Sequence, residues 1–399
     1  MRQLLAAVRF GADAVYVGMK NYGLRAYAGN FDDDELKEAI RIVHGAGKRL
    51  YVTMNIFAYD EDIPGMIDAA KRAQRLGVDA AIVSDIGVIS LLNEQAPGLA
   101  LHVSTQANTV NSRTAGLYGQ MGARRVILAR ELSLEQIRVI RQSVPPELEL
   151  EAFVHGAVCM SYSGRCVLSN YLTGRDANQG SCAQPCRWRY ALTEQTRPGE
   201  YLPILEDARG TYILSAHDLC MIEHIPALVE SGIASLKIEG RMKTEYYVAT
   251  VVGAYRRALD AYARCAQAYE QMLPALVEEL GKASHRPSDT GFYFGRPDQC
   301  AGAKGFLQTR EFTASVLERL PTGELLLEVK NRFFKGDKLE AMTPGGIIPL
   351  TVGDIVMEDT GERVSVVGHP KARVRIEAPT GIEAGDLLRG VCRNHARLS

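Results

Sequence analysis

The sequence predicts an α/β fold: a TIM-type (β/α)8 barrel whose first strand is missing from this chain, followed by a small C-terminal β-barrel domain. Three observations lead there. Over the first 245 residues, short runs rich in Val, Ile, Leu and Ala alternate with amphipathic helical patterns. Those runs lack strict polar alternation, as strands covered on both faces do. Beyond residue 305 the pattern changes to short strands separated by Gly, Pro and Asp turns.

The strand-like runs are, in order, "AVYVG" (14–18), "LYVTMN" (50–55), "AAIVSD" (80–85), "LHVSTQ" (101–106), "RVILAR" (125–130), "LEAFVH" (150–155) and "SLKIEG" (235–240). Between them lie helix patterns such as "DDDELKEAIRIVHGAGK" (32–48), with acidic residues in its first turn and Gly47 near its end. Repeated strand–helix units imply a parallel sheet. Seven strands are one short of a closed barrel, and the chain opens inside the helical pattern "RQLLAAVRFGA". The expectation is that the first strand lies upstream of Met1. The barrel is expected over 1–280, with a cysteine-rich insert at 156–215, and its last helix as one continuous "EYYVATVVGAYRRALDAYARCAQAYEQML". A polar linker is expected over 281–304 and the small β-barrel over 305–399.

Composition narrows the function. The 46% hydrophobic and 23% charged fractions are those of an ordinary globular protein, and the net charge of −1 supplies no global field for nucleic acid or membrane. A polyanion would need a local patch. The N-terminus lacks a signal-peptide pattern, and no stretch approaches the ~18 apolar residues that span a bilayer. A cytoplasmic protein with no membrane partner is expected. Clustered cysteines there serve metal binding or redox chemistry more often than disulfides.

In such barrels function sits at the C-terminal ends of the strands. Asn55 and Asp85 end two of them. Ser104, Gln106, Asn108 and Asn111 follow a third, His155 and Gly156 close the sixth run, and Lys237, Glu239 and Arg241 come from the last. Any one of these residues has a bland role open to it, capping a helix or tying down a loop. Together they form a polar pocket for a small anionic metabolite, with Lys237 and Arg241 as charge partners. His155, Lys237, Glu239, Arg241, Asn55 and Gln106 are the candidate catalytic set. Arg25, Asn108, Tyr162 and Arg165 are candidate contacts to the bound metabolite or cofactor.

The stretch "FVHGAVCMSYSGRCVLSNYLTGRDANQGSCAQPCRW" (153–188) holds Cys159, Cys166, Cys182 and Cys186, four of the eight cysteines, and the sole tryptophan. Cys220 follows in "HDLC". Only Cys182 and Cys186 have a spacing usual for structural zinc. Four thiolates on irregular loops suit an iron–sulfur cluster, which takes four cysteines at variable spacing. Zinc and inert buried thiols stay open as alternatives; the isolated Cys265, Cys300 and Cys392 fit the inert role. The same segment interleaves Arg165, Arg175, Arg187 and Arg189 with Tyr162, Tyr171, Trp188 and Tyr190. That pattern serves a flipped nucleotide, or packs the loop onto the barrel.

The runs "EAFVHGAVCMSYSGRCVLSNY", "NQGSCAQPCRWRY" and "SLKIEGRMKTEYYVATVVGAYRRALD" resemble the signature blocks of the collagenase-like peptidase family, peptidase U32. The resemblance covers essentially the whole chain. It implies an iron–sulfur protein (4Fe-4S) of RNA modification, closest to the branch that makes 5-hydroxyuridine at the tRNA wobble position with prephenate as co-substrate. It further implies Cys159, Cys166 and Cys182 as cluster ligands, with Cys186 or Cys220 as the fourth, and Lys237, Arg241 or Arg25 as partners of prephenate. Expected partners are tRNA and a homo- or heterodimer with a family paralogue. The family name supplies the alternative, a peptidase acting on protein. The sequence shows neither H-E-x-x-H nor G-x-S-x-G, and its nearest nucleophile–histidine candidate pairs Cys159 with His155.

Overall fold

The structure is a computed structural model. It describes residues 1–23, 30–158, 166, 168–175, 177, 180–185, 205–207, 210–212, 217–295 and 307–392. Helix α1 (Arg2–Arg9) leads into strand β1 (Ala14–Gly18), and five further units follow: α2 (Asp33–Gly45), β2 (Arg49–Met54), α3 (Ile63–Leu76), β3 (Ala80–Val83), α4 (Ile86–Gln95), β4 (Ala100–Val103), α5 (Ser112–Gln120), β5 (Ala123–Ile127), α6 (Leu134–Ser143) and β6 (Glu149–Gly156). Strands β1 to β6 are parallel neighbours in sequence order. Their covered faces explain the composition: Leu50, Val52, Met54, Ala81, Val83 and Val103 are fully buried.

The helix starts are written in the sequence. Asp32 and Glu35 form a capping box on α2, as Ser133 and Gln136 do on α6. Asp85 caps α4 and Asn111 caps α5, so these two strand-end residues serve helix starts. The run "LHVSTQ" divides: the strand ends at Val103, and residues Thr105–Ala107 form a 3-10 turn that Ser104 caps.

Past β6 come α7 (Leu168–Thr173), the hairpin β7 (Leu205–Asp207) and β8 (Gly210–Tyr212), and β9 (Asp218–Cys220). Then follow α8 (Ile225–Glu230), β10 (Ser235–Ile238), α9 (Glu245–Arg264), α10 (Ala266–Leu280) and β11 (Ser288–Asp289). Strand β10 is parallel to β6, while β9 runs antiparallel along the last two residues of β6. The expected single helix after β10 is two helices, broken at an extended Cys265. A straight helix through both would run roughly 50 Å. Folding back instead brings Tyr269 against Tyr262 at 6.1 Å and buries Leu276. The stretch expected as a linker, in its described part 281–295, joins the barrel: β11 pairs with β9, and buried Tyr293 donates to the carbonyl of Phe153.

The C-terminal residues form strands β12 (Arg310–Arg319), β13 (Glu324–Val329), β14 (Phe333–Phe334), β15 (Lys338–Thr343), β16 (Gly346–Thr351), β17 (Ile355–Met357), β18 (Arg363–Val364), β19 (Val366–Val367), β20 (Arg373–Glu377) and β21 (Leu387–Val391). Eight of them make one antiparallel sheet, ordered β16-β15-β21-β12-β13-β20-β17-β18, around its own core of Leu325, Leu327, Phe333, Ile355 and Ile376. Among the described residues the ladder does not close from β16 to β18. This domain is fastened to the barrel by fully buried Arg389, which grips Glu279 of α10 with two bonds of 2.6 and 2.8 Å and Glu340 with one of 2.7 Å.

One feature of the barrel wall has no counterpart elsewhere in it. Among the described residues, β1 pairs only with β2 and β10 only with β6. Between these two edges lies a cavity of about 740 Å³.

Candidate active site at the barrel mouth

The C-terminal ends of β1, β2, β4, β6 and β10 bring the polar candidates together. Arg241, just past β10, donates to Thr53 Oγ1 at 3.2 Å and to Asn30 Oδ1 at 3.1 Å, and its amide donates to Glu239 Oε1. Glu239 also accepts from the Tyr16 hydroxyl at 3.2 Å. A side chain at Gly18 would collide with the Arg241 guanidinium, so glycine at the end of β1 is what lets Arg241 settle there. Across the mouth, Asn55 donates to Ser104 Oγ at 3.1 Å, and the same oxygen accepts from the Gln106 amide. Asn108 sits in the left-handed region at φ 55°, its buried Oδ1 without a hydrogen-bond partner among the described residues.

Lys237 points elsewhere. It lies below the mouth, bonded to Glu151 Oε1 at 2.7 Å and 4.2 Å from the centre of the Tyr16 ring. Glu151 takes a second cation, Arg125, at 2.8 Å. Burial alone would raise the Glu151 pKa; Lys237 and Arg125 override it and hold the carboxyl down at about 2. Next to this group, burial and then Arg125 push His102 down to about 3, leaving it neutral against the Tyr51 ring.

His155 and Cys220 face each other as a cross-strand pair at the end of β6. Burial lowers the histidine pKa to about 3 and raises that of the thiol. Tyr255 supports both strands: its hydroxyl donates to Val154 O and accepts from the Met221 amide. Tyr247 lies 6.1 Å from His155, ring to ring, with its buried hydroxyl unpartnered among the described residues. Further out, Cys182 Sγ accepts the Gln184 amide at 3.3 Å, with Gln184 at φ 56°. Cys159, Cys186, Tyr162, Arg165 and Arg25 lie outside the described residues. Among the described residues no three His, Cys, Asp or Glu side chains gather as a metal site. Two of the described sulfurs have the chemistry an iron–sulfur group would need: Cys182 Sγ, which accepts a backbone amide, and the half-buried Cys220 thiol at the end of β9.

Two family models cover the chain, Peptidase family U32 over residues 1–302 and the Peptidase family U32 C-terminal domain over residues 308–389. This chain belongs to peptidase family U32. It is 36% identical over 394 residues to tRNA hydroxylation protein P1 of Bacillus subtilis, covering 98% of this chain and 92% of the relative. It is 38% identical over 433 residues to tRNA hydroxylation protein P of Escherichia coli, covering 96% and 93%. A collagenase of Porphyromonas gingivalis is 36% identical over 307 residues, covering 73% and 71%.

Within this U32 barrel, sequence reasoning placed Arg241, Glu239, Asn55, Gln106 and His155 at one mouth, and the structure groups them there. It missed Glu151, Arg125, Tyr16, Thr53 and Asn30. Glu149 and Glu151 were visible as alternating charges inside an otherwise apolar strand, a pattern that demands buried cations. Also missed were Phe57 and Tyr59, exposed on the loop after β2.

Proposed function

We propose that this protein hydroxylates C5 of the wobble uridine of tRNA, using prephenate as co-substrate and an iron–sulfur cluster of the 4Fe-4S type. The observation that carries the reading is the extent of the likeness. Three relatives named for tRNA hydroxylation match across 98%, 96% and 87% of the chain, reaching into both domains, while two others of that name match 74%, close to the 73% of the collagenase. The mouth supports it chemically. Arg241, oriented by Glu239, Thr53 and Asn30, offers a guanidinium to a carboxylate of the small anion. Phe57 and Tyr59 offer exposed ring faces on which bases of an anticodon loop stack. Cys159, Cys166 and Cys182, with Cys220 or Cys186, would hold the cluster. It would supply an electron-accepting or Lewis-acidic centre beside the substrate. The protein works on tRNA in the cytoplasm, and among the described residues no helix is long and apolar enough to cross a membrane.

A cysteine peptidase needs a thiolate beside a histidine able to take a proton. The candidate nucleophile Cys159 lies outside the described residues, and burial holds its candidate partner His155 at about 3, a weak base. Mass spectrometry of tRNA nucleosides from a strain lacking the gene tests the proposal: 5-hydroxyuridine derivatives are expected to vanish, and unchanged levels overturn it. Iron and sulfide analysis of anaerobically purified protein tests the cluster. Stoichiometric iron is expected, and its absence removes the cluster from the reading.

A further inference from the structure

Arg130 stands just past the C-terminal end of β5, on the stretch of the mouth away from Arg241. Its guanidinium carbon lies 4.0 Å from the centre of the Phe153 ring. Glu151, Phe153 and His155 alternate along β6 and so share its inner face. The register agrees. Lys237, level with Phe153 on β10, reaches Glu151 at 2.7 Å and comes within 5.7 Å of the same ring centre. The Phe153 ring is thus shared by two cations, Lys237 of the buried cluster and Arg130 of the rim.

Pairing sets the two apart. Lys237 and Arg125 are bonded to Glu151, whereas half-buried Arg130 has no hydrogen bond or ion pair among the described residues. The backbone around it is pinned. Leu128 N donates to Glu151 O at 2.9 Å, Ala129 N to Thr109 O at 3.1 Å and Leu134 N to Tyr293 O at 3.1 Å. The Tyr293 hydroxyl donates in turn to Phe153 O, so ring and guanidinium are positioned together. A guanidinium withdrawn from water without a counter-charge is costly. Stacking covers its face and leaves its in-plane N–H donors, a fork that matches a carboxylate.

We propose, on the reading of prephenate as the co-substrate, that Arg130 binds one of its two carboxylates while Arg241 binds the other. The mouth then selects a dicarboxylate over a monocarboxylate. One run of contacts joins the two sites along the inner wall. Arg130 lies on Phe153, Phe153 near Lys237, Lys237 on Tyr16, and Tyr16 bonds to Glu239, which accepts the Arg241 amide. Lys237 itself is held by Glu151 and stays out of the clamp.

Calorimetric titration of the anaerobically purified protein tests it, with prephenate and with phenylpyruvate, which has a similar ring and keto-acid arm but one carboxylate. Prephenate is expected to bind about thirtyfold more weakly to Arg130→Gln and to Arg241→Gln alike. Phenylpyruvate offers one carboxylate to two guanidiniums and is expected to be weakened by at most one of the two substitutions. Prephenate affinity within about threefold of wild type in Arg130→Gln overturns the clamp and leaves the hydroxylation reading standing. Phenylpyruvate weakened by both substitutions also overturns it. A wild-type protein that binds no prephenate overturns the co-substrate reading, and the clamp with it. Should Arg130→Gln bind neither ligand, Arg130→Lys decides, since it keeps a cation beside Phe153 without the fork. A loss of about fivefold for prephenate is expected there, and wild-type affinity overturns the clamp.

Discussion

Two buried ion clusters divide the labour in this molecule. In the barrel, one carboxylate, Glu151, lies between two cations, Arg125 and Lys237. At the domain junction the arrangement is inverted: one guanidinium, Arg389, lies between two carboxylates, Glu279 and Glu340. The inversion matters because of what each cluster borders. The barrel cluster lines the 740 Å³ cavity below the mouth, so its cations face space that a ligand can enter. At the junction, α10 meets the C-terminal sheet, and the charges are satisfied by one another across the two domains. Buried charge of similar chemistry thus serves a site in one place and a seam between domains in the other.

The largest effect tests the junction. Arg389→Met leaves buried Glu279 with Lys282 alone at 3.3 Å and half-buried Glu340 with Arg310 alone at 3.2 Å, and is expected to cost about 3 kcal/mol or more in urea unfolding, with the C-terminal domain melting separately. A loss under about 1 kcal/mol would show that the junction is not held by charge. Lys237→Met leaves Arg125 on Glu151, so the expected loss is smaller, about 2–3 kcal/mol. It is expected to abolish tRNA hydroxylation as well, and full activity in this variant would erase the distinction between the clusters.

Acid separates the two clusters next. His102 and His155 fall to about 3 in the folded protein, below their ordinary 6.5, so the unfolded chain takes up protons first. Their stabilising effect is complete above pH 6.5 and is lost as pH falls toward 3. Glu151 follows, losing its share between about 4.5 and about 2. At the junction Arg389 outweighs burial and holds Glu279 and Glu340 below the usual 4.5, so that cluster weakens only under pH 4.5. Urea midpoints from pH 7 to pH 4 are therefore expected to decline from about pH 6.5, and less steeply in His102→Phe. An identical slope in that variant would remove His102 from the account.

Smaller effects are expected at the mouth. Arg241→Lys keeps the charge but loses the fork to Thr53 and Asn30, and should raise KM for the small anion about tenfold with stability within about 0.5 kcal/mol. Tyr247→Phe removes a hydroxyl with no partner among the described residues, so stability should change by less than about 0.5 kcal/mol. A changed visible spectrum in the iron-loaded variant would place that hydroxyl on the cluster; an unchanged one would leave Tyr247 a packing residue.

The alternation of apolar runs and helix caps determined the barrel, because burial on both strand faces and cap chemistry act within a few residues of one another. Asp32 and Ser133 show this: each caps its helix by accepting from an amide three residues on. Strand-end position likewise placed Arg241, Asn55 and His155 at one mouth. Only the tertiary structure decided which cation faces which partner. Lys237 and Arg241 are four residues apart and read alike, yet the inward turn of β10 sends Lys237 down to Glu151, while the chain past the strand leaves Arg241 at the rim. Pairing across 86 residues, as for Glu151 and Lys237, or across 110, as for Glu279 and Arg389, leaves no local trace, because the energy comes from desolvating two charges together. The break at Cys265 and the pairing of Cys220 with His155 belong to the same class: each depends on the surface the chain folds back upon.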